Sequence, residues 1–323
     1  EPFVMLESDA KRTYVAQSGL IGLNGPDSSR NGRPSYEIEK STYSLADAKE
    51  SKNKAGETVK TLTVPMVYKT ADGVEIIKTF SFTEGEYPVL VNHKVINRSS
   101  QNWQGQMFGQ LKRDNSDDPG KSDQGIFTLG TFLGGAWGTP EEHYNKLKFD
   151  NFNDEKLNVE ATGGWVAMVQ HYFVSAWVPG QLKLTQADGQ PYAAKLESRK
   201  SSDEMNIIGF TSPTINVPAG TVAEVDATFY SGPKIQSELK DLATGLNQTV
   251  DYGWLWPIAK LLFIGLQFFH GLVGNWGWSI ILLTVLVKLI LWPLSSKSYR
   301  SMAKMRVIAR EMQRMKEECG EDR

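Results

Sequence analysis

A single cysteine, Cys319, stands among 323 residues, so no internal disulfide can staple the chain and any folded domain must rest on its own core. A domain of this size can manage that. Histidine is almost as scarce. His93, His143, His171 and His270 show no metal-ligand spacing and have no cysteine beside them, which excludes a recognisable zinc centre. No Gly-x-Ser-x-Gly elbow occurs, and no placed acid/base pair stands out. Gly120-Lys-Ser122 resembles the end of a phosphate loop, but Asn115 sits where the loop's first glycine belongs. The chain is therefore expected to be no enzyme, to hold no metal or cofactor, and to take no nucleic acid as a specific ligand.

Long apolar runs are also rare, and the main one divides the chain. Trp276 to Leu294 is almost wholly apolar, is bracketed by Trp276, Trp278 and Trp292, and contains one charge, Lys288. As a helix it measures roughly 28 Å, close to the thickness of a bilayer's hydrocarbon core. Tryptophan at both ends suits the membrane–water interface, and Trp254 and Trp256 add anchors ahead of it. After Pro293 come Lys297, Arg300, Lys304, Arg306, Arg310, Arg314 and Lys316, whereas the nearest basic residues before Trp276 are Lys260 and Lys240. This asymmetry places the C-terminal side in the cytoplasm and the large N-terminal part outside. From Trp254 onward there are 10 Lys+Arg and 5 Asp+Glu, and before it 25 and 32, so the overall charge of −2 conceals an acidic body and a basic one. The chain begins at Glu1 without a secretory pattern, and export of the outer part predicts a leader or anchor upstream.

Residues 1–57 are polar and rich in turn clusters, and they read as extended segments and long loops. Clear alternation follows. Leu62, Val64, Met66 and Tyr68 share one face, Asp72-Gly73 makes a turn, and Val74, Ile76, Phe80 and Phe82 share a face of the return strand. Further strands are expected at 89–96 and around Trp103, Met107 and Leu111, followed by an exposed loop over 112–123. Residues 165–178 are apolar on both faces and read as one strand buried between two layers. Shorter strands at 182–186, 192–197, 206–211 and 222–230, with Gly and Asp-Gly turns, favour an antiparallel sandwich over βαβ repeats. Ile235, Leu239, Leu242 and Leu246 then recur at helical spacing, predicting an amphipathic helix over 234–250 that closes the sandwich.

The division expected is thus a mainly β outer domain over 1–250, a connector and second helix over 251–274, the apolar span over 275–295 and a basic helix over 296–323. The second helix opens at Pro257 and carries a narrow stripe of Lys260, Gln267 and His270. It reads as an interfacial helix, the alternative being a second span paired through Gly274-Asn275. In the basic helix, Met302, Met305, Ile308, Met312 and Met315 form a stripe that wants a partner helix, the alternative being attraction to anionic lipid. An ionisable group inside a span costs about 2.5–3.5 kcal/mol on insertion scales, so Lys288 marks a functional site unless it snorkels to the headgroups. Thr284, one turn earlier on the same face, suggests that this face meets a hydrated cavity.

Gly163–Pro179 (GGWVAMVQHYFVSAWVP), Thr249–Trp256 (TVDYGWLW), Gly274–Ile281 (GNWGWSII) and Ser301–Arg306 (SMAKMR) closely resemble the YidC family of bacterial inner-membrane protein insertases. The resemblance runs through the whole chain. It implies a periplasmic β-supersandwich of the galactose-mutarotase type, an interfacial helix, a transmembrane helix and the first half of a cytoplasmic hairpin, with other spans of the groove absent. It implies a hydrophilic groove in which a positive charge receives polar parts of an inserting segment. Lys288 matches that position, where Arg is the more usual residue, so the charge is kept and the bidentate fork lost. Met302, Lys304, Met305 and Arg306 match the hairpin. Implied partners are nascent inner-membrane proteins, the Sec translocon with its accessory subunits, the ribosome on the cytoplasmic side, and membrane lipid. The competing expectation is a membrane-anchored periplasmic carbohydrate-binding domain, resting on a sandwich rich in Trp and Tyr.

Overall fold

The computed structural model describes residues 4–9, 12–28, 33–52, 56–116, 132–184, 189–250 and 256–318. It divides into two units, Glu1–Asp251 and Tyr252–Arg323. The first is built of strands. In chain order they are β1 (Glu7–Ser8), β2 (Thr13–Ile21), β3 (Glu37–Ile38), β4 (Lys49–Lys52), β5 (Thr58–Lys69), β6 (Val74–Thr83), β7 (Pro88–Asn97), β8 (Trp103–Arg113) and β9 (Gly134–Gly138). There follow β10 (Asn145–Leu147), β11 (Asn158–Thr162), β12 (Trp165–Val169), β13 (Phe173–Leu184), β14 (Gln190–Pro191), β15 (Ala193–Lys200), β16 (Asn206–Thr211), β17 (Ile215–Val217) and β18 (Val222–Pro233).

All pairings are antiparallel, as expected for a chain whose strands follow one another through short turns. One sheet runs β1-β2-β8-β16-β15-β11 with β17 beside β8, and the other runs β10-β9-β12-β13-β18-β7-β6-β5-β3 with β14 and β4 attached. The predicted β5–β6 hairpin is present, pairing Leu62 with Phe82 and Tyr68 with Ile76 around a turn at Gly73, whose φ of 97° demands glycine. Along β8 every odd residue from Trp103 to Arg113 is buried and every even one half-buried, the signature of a sheet with one face on the core.

The principal core lies between the sheets and includes Tyr14, Leu20, Ile76, Val95, Met107, Leu111, Trp177 and Phe210. A second cluster, with Trp165, Ala167, Val169, Val174, Ala176 and Tyr230, covers the other face of the second sheet. There it is capped by Leu239 and Leu246 from the C-terminal segment. Burial on both faces is why β12 and the first half of β13 carry no polar alternation. Trp165 Nε1 donates to Thr244 O at 2.8 Å, fastening the cap.

Several expectations need correction. Residues 165–178 form two strands, since Gln170, His171 and Tyr172 make the bend of a hairpin pairing Val169 with Val174. Nothing in a run apolar on both sides announces that reversal. Residues 13–21 are a strand paired with β8 from Tyr14↔Arg113 to Ile21↔Gln106, hidden in the sequence by the small and polar Ala16, Gln17, Ser18 and Gly19. Lys112 and Arg113 end β8, and Arg113 is fully buried, 5.2 Å from the Tyr14 ring and 5.6 Å from that of Phe149. The rest of the predicted 112–123 loop beyond Ser116, with Gly120-Lys-Ser122, lies outside the described residues. The closing helix is shorter than expected. α1 spans Gln236–Leu242, Ala243 is extended, and a 3₁₀ turn follows at Leu246–Thr249. Between the two, Gly245 sits at φ 84°, where a Cβ would collide with the His143 carbonyl.

The second unit holds α2 (Trp256–Val273) and α3 (Trp276–Glu318). α3 runs unbroken through Pro293, so the apolar stretch and the basic segment are two halves of one helix.

Candidate functional site

The joint between α2 and α3 fixes how the polar groups of the span are presented. Gly274 adopts φ 64° and donates its N–H to His270 O at 2.8 Å, ending α2 in the left-handed turn that glycine favours. Asn275 caps α3, its Oδ1 accepting from Gly277 N at 2.8 Å and from Trp278 N at 3.3 Å. The His270 ring stacks on Trp276, with centroids 3.8 Å apart. Farther along, a Cβ on Gly265 would lie 3.1 Å from Leu283 Cδ1, so α2 folds back against α3. Ala259, Phe263, Leu266 and His270 are half-buried on α2, as are Leu283 and Val287 on α3, and Ser279 is fully buried. Both sets follow helical spacing, the mark of two packed helix faces.

Thr284 and Lys288 lie one position round from Leu283 and Val287, beside the packed face and exposed. Thr284 Oγ1 donates to Ile280 O at 2.7 Å, which satisfies its hydrogen inside the helix and leaves the oxygen able to accept. Lys288 makes no ion pair among the described residues and stands among exposed Val285, Leu289, Ile290 and Leu291. Met302, Lys304, Met305 and Arg306 are exposed on the basic half, Met302 about 21 Å along the helix from Lys288. Trp276 and Trp278 are 50% and 62% exposed at the start of α3. Trp254 lies outside the described residues, as does the Trp256 side chain. The sequence reading missed the Asn275 cap, Ser279 and the His270–Trp276 stack. The Gly-Asn pair between two apolar helices was the available signal for the first.

A layered antiparallel β unit joined to an apolar helix of spanning length, with a charge within it and a basic extension beyond, defines a membrane-anchored sandwich protein. Profile matching gives the particular family. The YidC periplasmic domain profile matches residues 1–264 and the 60Kd inner membrane protein profile matches residues 268–323; the chain belongs to the YidC family. Proteins named membrane protein insertase YidC from Stutzerimonas stutzeri (strain A1501) and Pseudomonas putida (strain GB-1) are 46% and 45% identical over 322 residues. Each match covers 100% of this chain and 54% of the relative, so the chain spans about half the length of these relatives. Among solved structures, a galactose mutarotase related enzyme from Lactobacillus acidophilus overlaps 62% of this chain and 72% of its own at 12% identity, with a TM-score of 0.37. An alpha-galactosidase from Lactobacillus brevis overlaps 71% of this chain and 28% of its own at 10% identity, also with a TM-score of 0.37. Both structural likenesses are loose. The family match places the chain among inner-membrane proteins with a periplasmic domain, and it favours the insertase family over the carbohydrate-binding alternative.

Proposed function

We propose that the chain is part of a membrane-protein insertase and chaperone, acting without covalent chemistry, and that its α3 forms one wall of a hydrophilic intramembrane groove. The observation that carries this reading is Lys288, a charge with no ion pair among the described residues, exposed on the apolar half of α3. Such a charge is costly in lipid and is kept where it meets water or a polar partner. Facing a groove, Lys288 would offset the desolvation of an acidic or polar group on an inserting segment, and the Thr284 oxygen would accept hydrogen bonds beside it. The β unit lies in the periplasm and the basic half of α3 in the cytoplasm, a reading supported by the run of Lys and Arg after Pro293. α2 lies against the outer half of the span, at the interface anchored by Trp254, Trp256, Trp276 and Trp278. Met302, Lys304, Met305 and Arg306 meet a second helix of the hairpin, and the same basic face attracts anionic lipid. Nascent inner-membrane proteins are the clients; the Sec translocon with its accessory subunits and the ribosome are partners carried over from the family resemblance.

The test is insertion of single-span clients by the full-length protein carrying Lys288→Ala. Clients with an acidic residue in or just before the span should insert about tenfold more slowly, while wholly apolar clients keep their rate. Unchanged insertion of the acidic clients would remove Lys288 from the mechanism.

A further inference from the structure

The face of β6 turned toward the other sheet changes character along its length. Val74 and Ile76 are sealed in the core, Lys78 and Phe80 are half-buried, and Phe82 is 43% exposed. The opposing strand β2 explains the opening. Its inward residues are Tyr14, Ala16, Ser18 and Leu20; Tyr14 and Leu20 are fully buried, while Ala16 and Ser18 are too short to fill the roughly 10 Å between packed sheets. A cleft of about 590 Å³ remains, within the range of small-molecule sites.

Strand register orders its floor into rows. Phe82, Val89, Phe229 and Trp177 stand side by side, then Phe80, Val91 and Ala227, then Lys78, His93 and Val225. Trp177 and Phe229 are in ring contact at 4.8 Å. Two apolar rows thus lead to a polar one over roughly 13 Å. At the polar end Lys78 Nζ donates to Ser18 O at 2.7 Å, across the gap, and lies 5.1 Å from the Phe80 ring. Lys78 has no ion pair within 4 Å among the described residues, and Asp27 acts on its charge only from farther away. Asp27 and Arg33 also line this end, and Asp27 Oδ2 is engaged by Leu20 N at 2.7 Å. Behind Lys78, His93 is fully buried, and neither ring nitrogen has a hydrogen-bond partner among the described residues. Burial pulls the Lys78 ammonium down to about 8, and burial followed by the Lys78 charge pulls His93 down to about 3. Two cations against one carboxylate, with donors to spare, call for an anion. The two floor rows offer a ligand no polar partner, and on the opposing wall Gln17 and Gln110 also line the cleft but are hydrogen-bonded to each other at 2.8 Å, which favours an apolar chain over a sugar.

We propose that this cleft binds a medium-length acyl chain ending in a carboxylate, the head against Lys78 and the chain along Phe80, Phe82 and Phe229. The proposal is independent of the insertase reading. It is tested by photo-crosslinking the full chain in lipid nanodiscs with a diazirine-bearing decanoate and locating the adducts by peptide mass spectrometry. Adducts should fall on β6 and β18, and unlabelled competitors should gain about fourfold in potency for each added methylene from hexanoate to decanoate. Octanoate should outcompete octanol on the unaltered protein and match it on Lys78→Met. The chain-length series needs no variant, so a misfolded Lys78→Met leaves the test intact. Adducts confined to α2 and α3 would mean partition into the bilayer alone and would overturn the proposal. Displacement from the cleft by galactose, or no dependence on chain length, would overturn it as well.

Discussion

Acidification should loosen the sandwich through one residue, His93. The imidazole is fully buried and its pKa is drawn from 6.5 to about 3, by burial first and the Lys78 charge second. The folded state therefore keeps it neutral while the unfolded chain protonates it below pH 6.5. Stability from this site is fully present above pH 6.5 and is lost as pH falls toward 3. Each pH unit in that window removes about 1.4 kcal/mol, so the loss at pH 4.5 is about 2.7 kcal/mol. Lys78 stays protonated in both states over this range. Asp27 and Asp226, both raised by burial, take up protons in the folded state and work against the loss. Comparison with His93→Leu isolates the histidine. The assay is urea unfolding of the full chain in mild detergent between pH 8 and 4.5, followed by near-ultraviolet circular dichroism of the buried Trp165 and Trp177. The unaltered protein should lose about 2.7 kcal/mol more than His93→Leu across that interval. At pH 8, His93→Leu should be the more stable by about 1–3 kcal/mol, because two buried nitrogens without a partner among the described residues are gone. Equal pH dependence in the two proteins would refute the reasoning.

Gly245→Ala forces a side chain into the left-handed region and against the His143 carbonyl, and should destabilise the β unit by about 2–4 kcal/mol in the same unfolding assay. Asn275→Ala removes the cap of α3; amide exchange at Gly277 and Trp278 should quicken about fivefold, matching about 1 kcal/mol of helix-end stability. Trp165→Phe loses the hydrogen bond to Thr244 and also leaves a cavity where the larger indole was fully buried, at a cost of about 2–4 kcal/mol in urea unfolding.

The sequence disclosed elements wherever period and burial coincide. β8 and the β5–β6 hairpin have one face on the core, and their alternation survives intact. β12 and β13 are covered on both faces, so no alternation exists to show the bend at Gln170–Tyr172. β2 was illegible for the opposite reason: its inward positions include Ala16 and Ser18, which face a cleft and need not be large. The helix over 234–250 had the right apolar spacing, yet the backbone turns extended at Ala243 and left-handed at Gly245, where the distant His143 carbonyl leaves no room for a side chain. In the span, Thr284 and Lys288 could be placed on one face by counting alone. What lies beside that face could not, because α2 returns through a joint built on Gly274 and Asn275.

The cap formed by Leu239 and Leu246 sets an order of assembly. It comes from the last residues of the β unit, yet it covers Trp165, Ala167, Val174 and Tyr230, which precede it in the chain. As the polypeptide emerges N-terminus first, the sheet can form and dry one face while the other stays wet until residue 246 arrives. Through that interval the growing domain displays an apolar stripe of its own. A chain paused or cut short of the cap would be sticky although nearly all of its strands were in place.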